Sequence, residues 1–169
     1  MSSGFLLREW RLSDKISLAE NANNINIWNN VRDYFPYPYT EEEADKFLKM
    51  VTDKPNPKTD FAIEVGGQAV GGVGIVPQTD VHAITAEIGY WLGENYWNRG
   101  IMTNAVKEMV EYTFKKFPIT KIFAPVFEFN TASMRVLDKA GFYKEAVLKK
   151  AAKKNDKTID LYYYGLFKE

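Results

Sequence analysis

Tyr96-Trp97-Asn98-Arg99-Gly100-Ile101-Met102-Thr103-Asn104-Ala105 lies where an apolar, strand-like run hands over to an amphipathic, helix-like one. The first N–H groups of a helix have no partner inside it, and the aligned peptide dipoles give that end positive character. A phosphate placed there satisfies both conditions. Glycine at position 100 lets the backbone come close to such an anion with no Cβ in the way. An ordinary loop–helix junction is the plain alternative. The segment lacks the Gly-Lys-Ser/Thr of a mononucleotide loop and the Gly-x-Gly-x-x-Gly of a dinucleotide fold. His82 is the only histidine and falls near a turn, a position more typical of solvent exposure than of catalysis. With no cysteine in the chain, a thiolate nucleophile, a disulfide framework and a Cys-ligated zinc site are excluded, and no metal is expected.

The elements that would position this segment can be followed along the chain. Phe5 to Trp10 reads as a strand, and Ser13 or Asp14 is placed to cap a helix carrying Ile16, Leu18, Ala19 and Ala22. Ile25 to Val31 reads as a second, short helix. Two prolines then interrupt an aromatic loop, Asp33 to Tyr39. Thr40 with Glu43 forms a capping box for a third helix with Ala44, Phe47, Leu48 and Val51 on its apolar face. Phe61 to Val65, a Gly66-Gly67 turn and Ala69 to Val76 read as a hairpin. Thr79-Asp80 turns the chain into a strand from Ile84 to Leu92.

The long helix that follows repeats Met102, Ala105, Val106, Met109, Val110 and Thr113 at helical spacing and stops at Pro118. Lys121 to Phe127 is a buried-type strand. A helix opens at Asn130 and ends at Gly141 in the left-handed position, with Phe142 docking behind it. Ala146 to Ala152 and Thr158 to Phe167 form a last strand pair around a lysine-rich turn. The order β-α-α-α-β-β-β-α-β-α-β-β contains one β-α-β crossover, hence one parallel pair. The fold expected is mixed α/β: a mostly antiparallel central sheet with flanking helices.

Composition sets outer limits. At 169 residues the chain suits one domain spanning 1–169, and a hydrophobic fraction of 46% supports a full core. Its 22 basic and 22 acidic residues cancel, so the basic excess of a DNA-binding protein is missing. No apolar run approaches the ~18 residues of a membrane span. No signal peptide is read at the start, so a cytoplasmic location is expected. A homodimer is compatible with the chain but not fixed by it.

Three blocks carry a family resemblance. Trp97-Asn98-Arg99-Gly100-Ile101-Met102 aligns with the acetyl-CoA signature Gln/Arg-x-x-Gly-x-Gly/Ala of the GNAT N-acetyltransferases. Only Gly100 matches that signature strictly, with Trp97 at its first position and Met102 at its last. Tyr-Trp-x-x-Gly-x-x-Thr-x-Ala is closer to the variant in the Rim-type branch, which acetylates ribosomal-protein N-termini. Glu87-Ile88-Gly89-Tyr90-Trp91-Leu92 is similar to the family's splayed strand. Asn130-Thr131-Ala132-Ser133-Met134-Arg135-Val136-Leu137-Asp138-Lys139-Ala140-Gly141-Phe142 is similar to its Asn-x-x-Ser-x-x-Val-Leu-x-Lys-x-Gly-Phe block. The stretch from Asp33 to Glu43 resembles the acceptor-side loop of the Rim-type branch.

The resemblance implies a splayed parallel strand pair and a use for each block. Asn98, Arg99, Gly100, Ile101, Met102 and Thr103 would hold the pyrophosphate of acetyl-CoA, Arg99 adding a charge-assisted bond. Tyr90, Trp91 and Leu92 would offer backbone groups to the pantetheine arm, which can pair with a strand edge. A backbone N–H there would face the developing oxyanion. Asn130 would bond the same arm, although capping its own helix is an equally natural role, and Ser133 lies one turn further on.

Transfer of an acetyl group to nitrogen needs a neutral amine. Deprotonation at pH 7 costs about 1.4 kcal/mol for an α-amine and about 4.6 kcal/mol for a lysine. Glu87 is the candidate base, directly or through water; a surface ion pair is its plainer role. The family's Tyr proton donor to the departing thiolate is replaced here by Leu137, which leaves Ser133 as donor, with Tyr90 and Tyr162-Tyr163-Tyr164 as fallbacks. Arg32, Tyr34, Phe35 and Tyr37 are the candidates for contact with the acceptor, a protein N-terminus or a small amine. Lys149, Lys150, Lys153, Lys154 and Lys157 form either a solvated turn or a surface for an acidic or RNA-rich partner. The alternative to an enzyme is a module that holds an acyl-CoA without turnover.

Overall fold

The protein is described here by a computed structural model covering residues 4–169. Met1 to Ser3, on which the reading of the chain start partly rested, lie outside the described residues. The elements follow the expected order. They are β1 (Leu6–Glu9), α1 (Lys15–Ala22), α2 (Ile25–Trp28), α3 (Glu41–Asp53), β2 (Asp60–Val65), β3 (Gln68–Pro77), β4 (Thr85–Leu92), α4 (Ile101–Lys116), β5 (Lys121–Phe127), α5 (Thr131–Lys139), β6 (Tyr143–Lys154) and β7 (Lys157–Phe167).

The strands form one sheet in the order β1-β2-β3-β4-β5-β7-β6. Only β4 and β5 run parallel; every other neighbour is antiparallel. Alternate residues of a strand face opposite sides, so the sheet separates two cores. On one side Ile88, Ile122 and Ala124 pack under Val106 and Met109 of α4 and Leu137 of α5. On the other, Trp10, Ala62 and Ala69 pack under Leu18 of α1 and Leu48 of α3, with Phe35 and Trp91 at the margin.

Local chemistry fixes the element ends. The Thr40 hydroxyl accepts from the Glu43 N–H. Glu43 itself pairs with Lys46, so only half of the capping box forms. Gly141 has φ 93°; the Gly141 N–H donates to Asp138 O and the Phe142 N–H to Leu137 O, the paired bonds of a left-handed helix stop. Phe142 and Leu137 are both buried, which adds the expected apolar contact across that stop.

Three expectations are corrected. Asp14 does not cap α1 through its side chain. Its carboxylate takes the Arg11 N–H and both terminal nitrogens of the buried Arg8 guanidinium, at 2.7 and 2.8 Å, while Arg8 Nε also binds Glu64. A buried charge is retained when paired in this way. The second helix stops at Trp28 instead of Val31, and Asn24 caps it by accepting from Asn26 and Ile27. Within the lysine-rich hairpin Lys149, Lys150, Lys153 and Lys157 are exposed, but Lys154 leaves the surface. Lys149 binds Asp160, Lys153 binds Asp156, and Lys154 is buried against Trp28 and Asp33.

Candidate active site

β4 and β5 pair only at Thr85–Lys121, Ala86–Ile122 and Glu87–Phe123. Beyond that point they part. β4 continues to Leu92 held only by β3, and β5 continues to Phe127 held only by β7. Pro125 sits in the departing half of β5 and has no N–H for a ladder, so it fits where a neighbour is missing. The edge of Ile88 to Leu92 that faces away from β3 is therefore left without a strand.

A cavity of about 1220 Å³ runs through this opening. It exceeds the ~300–1,000 Å³ usual for one drug-sized ligand. At one end lies the start of α4. Gly100 caps that helix with φ 74°, and no side chain caps it in addition. The Asn104 N–H donates to Gly100 O, whereas the N–H groups of Ile101, Met102 and Thr103 find no partner among the described residues. A Cβ built on Gly100 meets nothing within 4 Å, so the space over this cradle is open. Asn98 also has positive φ, 60°. Ile101 and Met102 send their side chains into the core and leave only backbone toward the opening. These are the features of an anion cradle.

The other residues named from the sequence divide as follows. Tyr90 and Ser133 meet: their hydroxyl oxygens are 2.7 Å apart, joining β4 to α5. Burial pushes the Tyr90 phenol well above its ordinary range, only partly offset by the Ser133 contact, so it stays protonated, and either hydroxyl can donate to the other. Asn130 caps α5, its Oδ1 accepting from the Ser133 N–H at 3.2 Å, which leaves its amide donors free. The Leu92 carbonyl is taken by the Trp97 indole N–H at 2.7 Å. The Arg99 guanidinium donates to Asn95 O and stands 5.3 Å from the Tyr96 ring centroid. Thr103 lines the cavity.

Glu87 lies on the opposite face of β4 from Tyr90, where it forms an ion pair with Arg32 of the aromatic loop. Burial raises the Glu87 carboxyl, and the Arg32 guanidinium pulls it back down by charge and hydrogen bonding. Tyr34 and Phe35 line the cavity with them. Tyr37 does not; it packs on Trp28, ring centroids 6.0 Å apart, outside the cavity.

The sequence reading missed two groups. Arg135 and Lys139, an i, i+4 pair on one face of α5, line the cavity and have no ion-pair partner among the described residues. Their spacing was legible, but nothing local said which face was open. Lys154 also lines the cavity, its Nζ 2.7 Å from Asp33 Oδ1 and 3.5 Å from the Trp28 ring centroid.

Residues 5–143 match the acetyltransferase (GNAT) domain family. An N-acetyltransferase of Bacillus licheniformis described as uncharacterised, p20, is 37% identical over 78% of this chain and 76% of its own. The structure of the microcin C7 self-immunity acetyltransferase MccE, in complex with acetyl-CoA and AMP, superposes with a TM-score of 0.81 at 26% identity, covering 99% of this chain and 98% of that one. RimJ of Mycobacterium smegmatis, solved with a CoA disulfide, shares the fold with a TM-score of 0.85 at 22% identity over 98% of this chain and 83% of its own. With a parted parallel pair, a helix start free of any side-chain cap and a family match across most of its length, the chain belongs to the GNAT acetyltransferases and is an acetyl-CoA-dependent N-acetyltransferase.

Proposed function

We propose that the cavity between β4 and β5 carries out direct transfer of an acetyl group to a primary amine, either a protein N-terminal α-amine or a small amine, with the CoA moiety held at the start of α4. The observation that carries this reading is the coincidence in one cavity of an open anion cradle, an unpaired strand edge and two distinct polar pairs, one on each face of β4.

The N–H groups of Ile101, Met102 and Thr103 donate to the pyrophosphate, with positive φ at Asn98 and Gly100 turning the backbone toward it. Arg135 and Lys139 meet the remaining phosphate charge. The free edge from Ile88 to Trp91 takes the amides of the pantetheine arm, and Asn130 donates its free amide N–H to the same arm. The amine enters on the Glu87 face. Glu87 removes its proton, directly or through water, as the nitrogen attacks the thioester carbonyl carbon. A β4 backbone N–H stabilises the oxyanion as charge moves onto the carbonyl oxygen. The C–S bond breaks, and the sulfur takes the Ser133 hydroxyl proton, which water restores to the serine as Glu87 gives up the proton it drew from the amine. Tyr90 donates its own hydrogen bond to Ser133 Oγ, which orients the serine proton outward.

The test is to mix the protein with acetyl-CoA and a panel of amines and follow free thiol. Amine-dependent thiol release is expected. Tight CoA binding with no release under any amine would leave a non-catalytic acyl-CoA module as the reading instead.

A further inference from the structure

We infer that the acceptor is a free α-amino acid with an uncharged, apolar side chain, bound by an exchange of partners at the Arg32–Glu87 ion pair. This inference rests on the amine transfer proposed above and narrows its acceptor.

A guanidinium and a carboxylate in direct contact are the electrostatic complement of a zwitterion whose ammonium and carboxylate flank one carbon. Turned to face the pair, such a molecule places its ammonium on Glu87 and its carboxylate on Arg32. The Arg32 side chain is 64% exposed and that of Glu87 21% exposed, and partly exposed pairs are held weakly, so exchanging one partner for another is inexpensive. Arg32 can also offer the carboxylate two parallel N–H donors. An amine without an anion gains only half of this arrangement, because it must approach Glu87 beside an unanswered positive charge.

The remaining charges of the cavity disfavour a polycation, because seven basic side chains line it against four acidic ones. The acidic side chains that line it are Asp33, Glu43, Asp60 and Glu87. Each already has a cation from the chain: Lys154, Lys46, Lys54 and Arg32, respectively. A polyamine would have to displace a chain cation at each carboxylate it met, whereas an amino acid displaces one and answers it with its own carboxylate.

The surroundings on the Glu87 face are apolar. Phe123 is the register partner of Glu87, so alternation puts Pro125 and Phe127 on that face, as it does Trp91 from β4. Phe35 stands edge-on to Trp91 with centroids 5.8 Å apart. Pro125, Phe127, Trp91 and Phe35, with Val31 and Leu161, line the cavity and suit an aliphatic or aromatic side chain.

The experiment compares phenylalanine, leucine, their carboxamides, aspartate, spermidine and a short peptide as acceptors for the full chain, reading kcat/KM by thiol release. The apolar amino acids should lead. Each carboxamide should fall by roughly tenfold or more, the worth of a charge-assisted bond. Arg32→Ala should erase the difference between acid and amide while leaving CoA affinity, measured by calorimetry, unchanged. Equal use of acid and amide by the unaltered protein, or better use of spermidine or peptide than of every amino acid, would overturn the inference while the transfer reaction stood. Thiol release from none of the panel would instead bring down the amine transfer on which it rests.

Discussion

The Tyr90 hydroxyl oxygen lies 2.7 Å from Ser133 Oγ, linking the parted strand β4 to the first turn of α5. Tyr90 stays protonated because burial disfavours its phenolate. Both hydroxyls carry a proton and either can donate to the other; in the proposed reaction Tyr90 is the donor, and the serine keeps its own proton for a group in the cavity. Ser133→Ala should lower kcat by about 100-fold, the lower range for an acid acting in the rate-limiting step. Tyr90→Phe removes one neutral hydrogen bond, worth ~1 kcal/mol, so about a fivefold loss is expected. Single-turnover thiol release separates these steps from CoA binding. Equal activity in Ser133→Ala and the unaltered protein would remove the serine from proton transfer.

Glu87 gives the pH dependence its sign. The folded protein holds the Glu87 proton more tightly than an unfolded chain does, because burial outweighs the Arg32 contact. Its contribution to stability is thus present below the ordinary carboxylate range and is lost as pH rises through the folded value. Activity runs the other way, since the base must be ionised. The acidic limb of kcat/KM should lie above the pH at which an exposed glutamate titrates. The charged and titratable groups facing Glu87 are Arg32 on the loop and Tyr163 on β7. Arg32→Ala removes the group that holds the value down, so the limb should move to higher pH. Glu87→Gln should abolish the limb and lower kcat by about 100-fold or more while CoA affinity holds. A limb of unchanged position in Glu87→Gln would assign the titration to another group.

Gly100 serves the helix start in two ways that substitution can separate. Its φ of 74° costs an L-residue about 1–2 kcal/mol. A Cβ there meets nothing within 4 Å, and Gly100 lines the same cavity as the residues whose N–H groups form the cradle. Gly100→Ala should both destabilise the fold and weaken CoA binding. Gly100→Asn relieves the backbone penalty, because asparagine tolerates left-handed geometry, but fills more of the cradle. Thermal melts should therefore rank asparagine above alanine, and CoA affinity should rank them in reverse. Matching orders in both measurements would locate the effect in stability alone.

Much of this architecture is written locally in the chain. Gly100 and Gly141 each mark a helix end by a conformation other residues adopt with strain, and Thr40 marks a start by its hydroxyl. Such signals depend on neighbours within a few residues. What stayed hidden depends on pairing across the sheet. Arg32 and Glu87 were named separately, as an acceptor contact and a base, yet 55 positions separate them and nothing local brings them together. Pro125 was the overlooked sign of where the parallel pair opens. Asp14 was assigned to the helix after it because Arg8, its actual partner, sits in the preceding strand. Tyr37 belongs to an aromatic loop, but its ring turns toward Trp28 and away from the cavity.

Lys154 is the position least expected from its lysine-rich surroundings, and its variants bear on both stability and acceptor binding. The hairpin from β6 to β7 bulges between Leu148 and Ala152, and Asn155 and Asp156 turn it with φ of 50° and 61°. That path carries Lys154 onto α2, where its ammonium rests on the Trp28 ring and Asp33, with its side chain 2% exposed. A desolvated cation over an indole contributes about 2 kcal/mol. Lys154→Met keeps the length of the side chain and removes the charge. It should lower stability by ~1–2 kcal/mol, and Tm by about 2–4 °C for each of these in a chain of this size. The clasp also anchors the segment before Arg32, so the acceptor KM should rise. CoA affinity should not change, because Lys154 contacts Trp28 and Asp33 and none of the groups of the α4 cradle. Asp33→Asn, which retains an acceptor oxygen at an exposed site, should produce a smaller change in both quantities. If Lys154→Met lost stability with the acceptor KM unaltered, the clasp would be a structural contact only, and the hairpin tip would have no part in shaping the acceptor end.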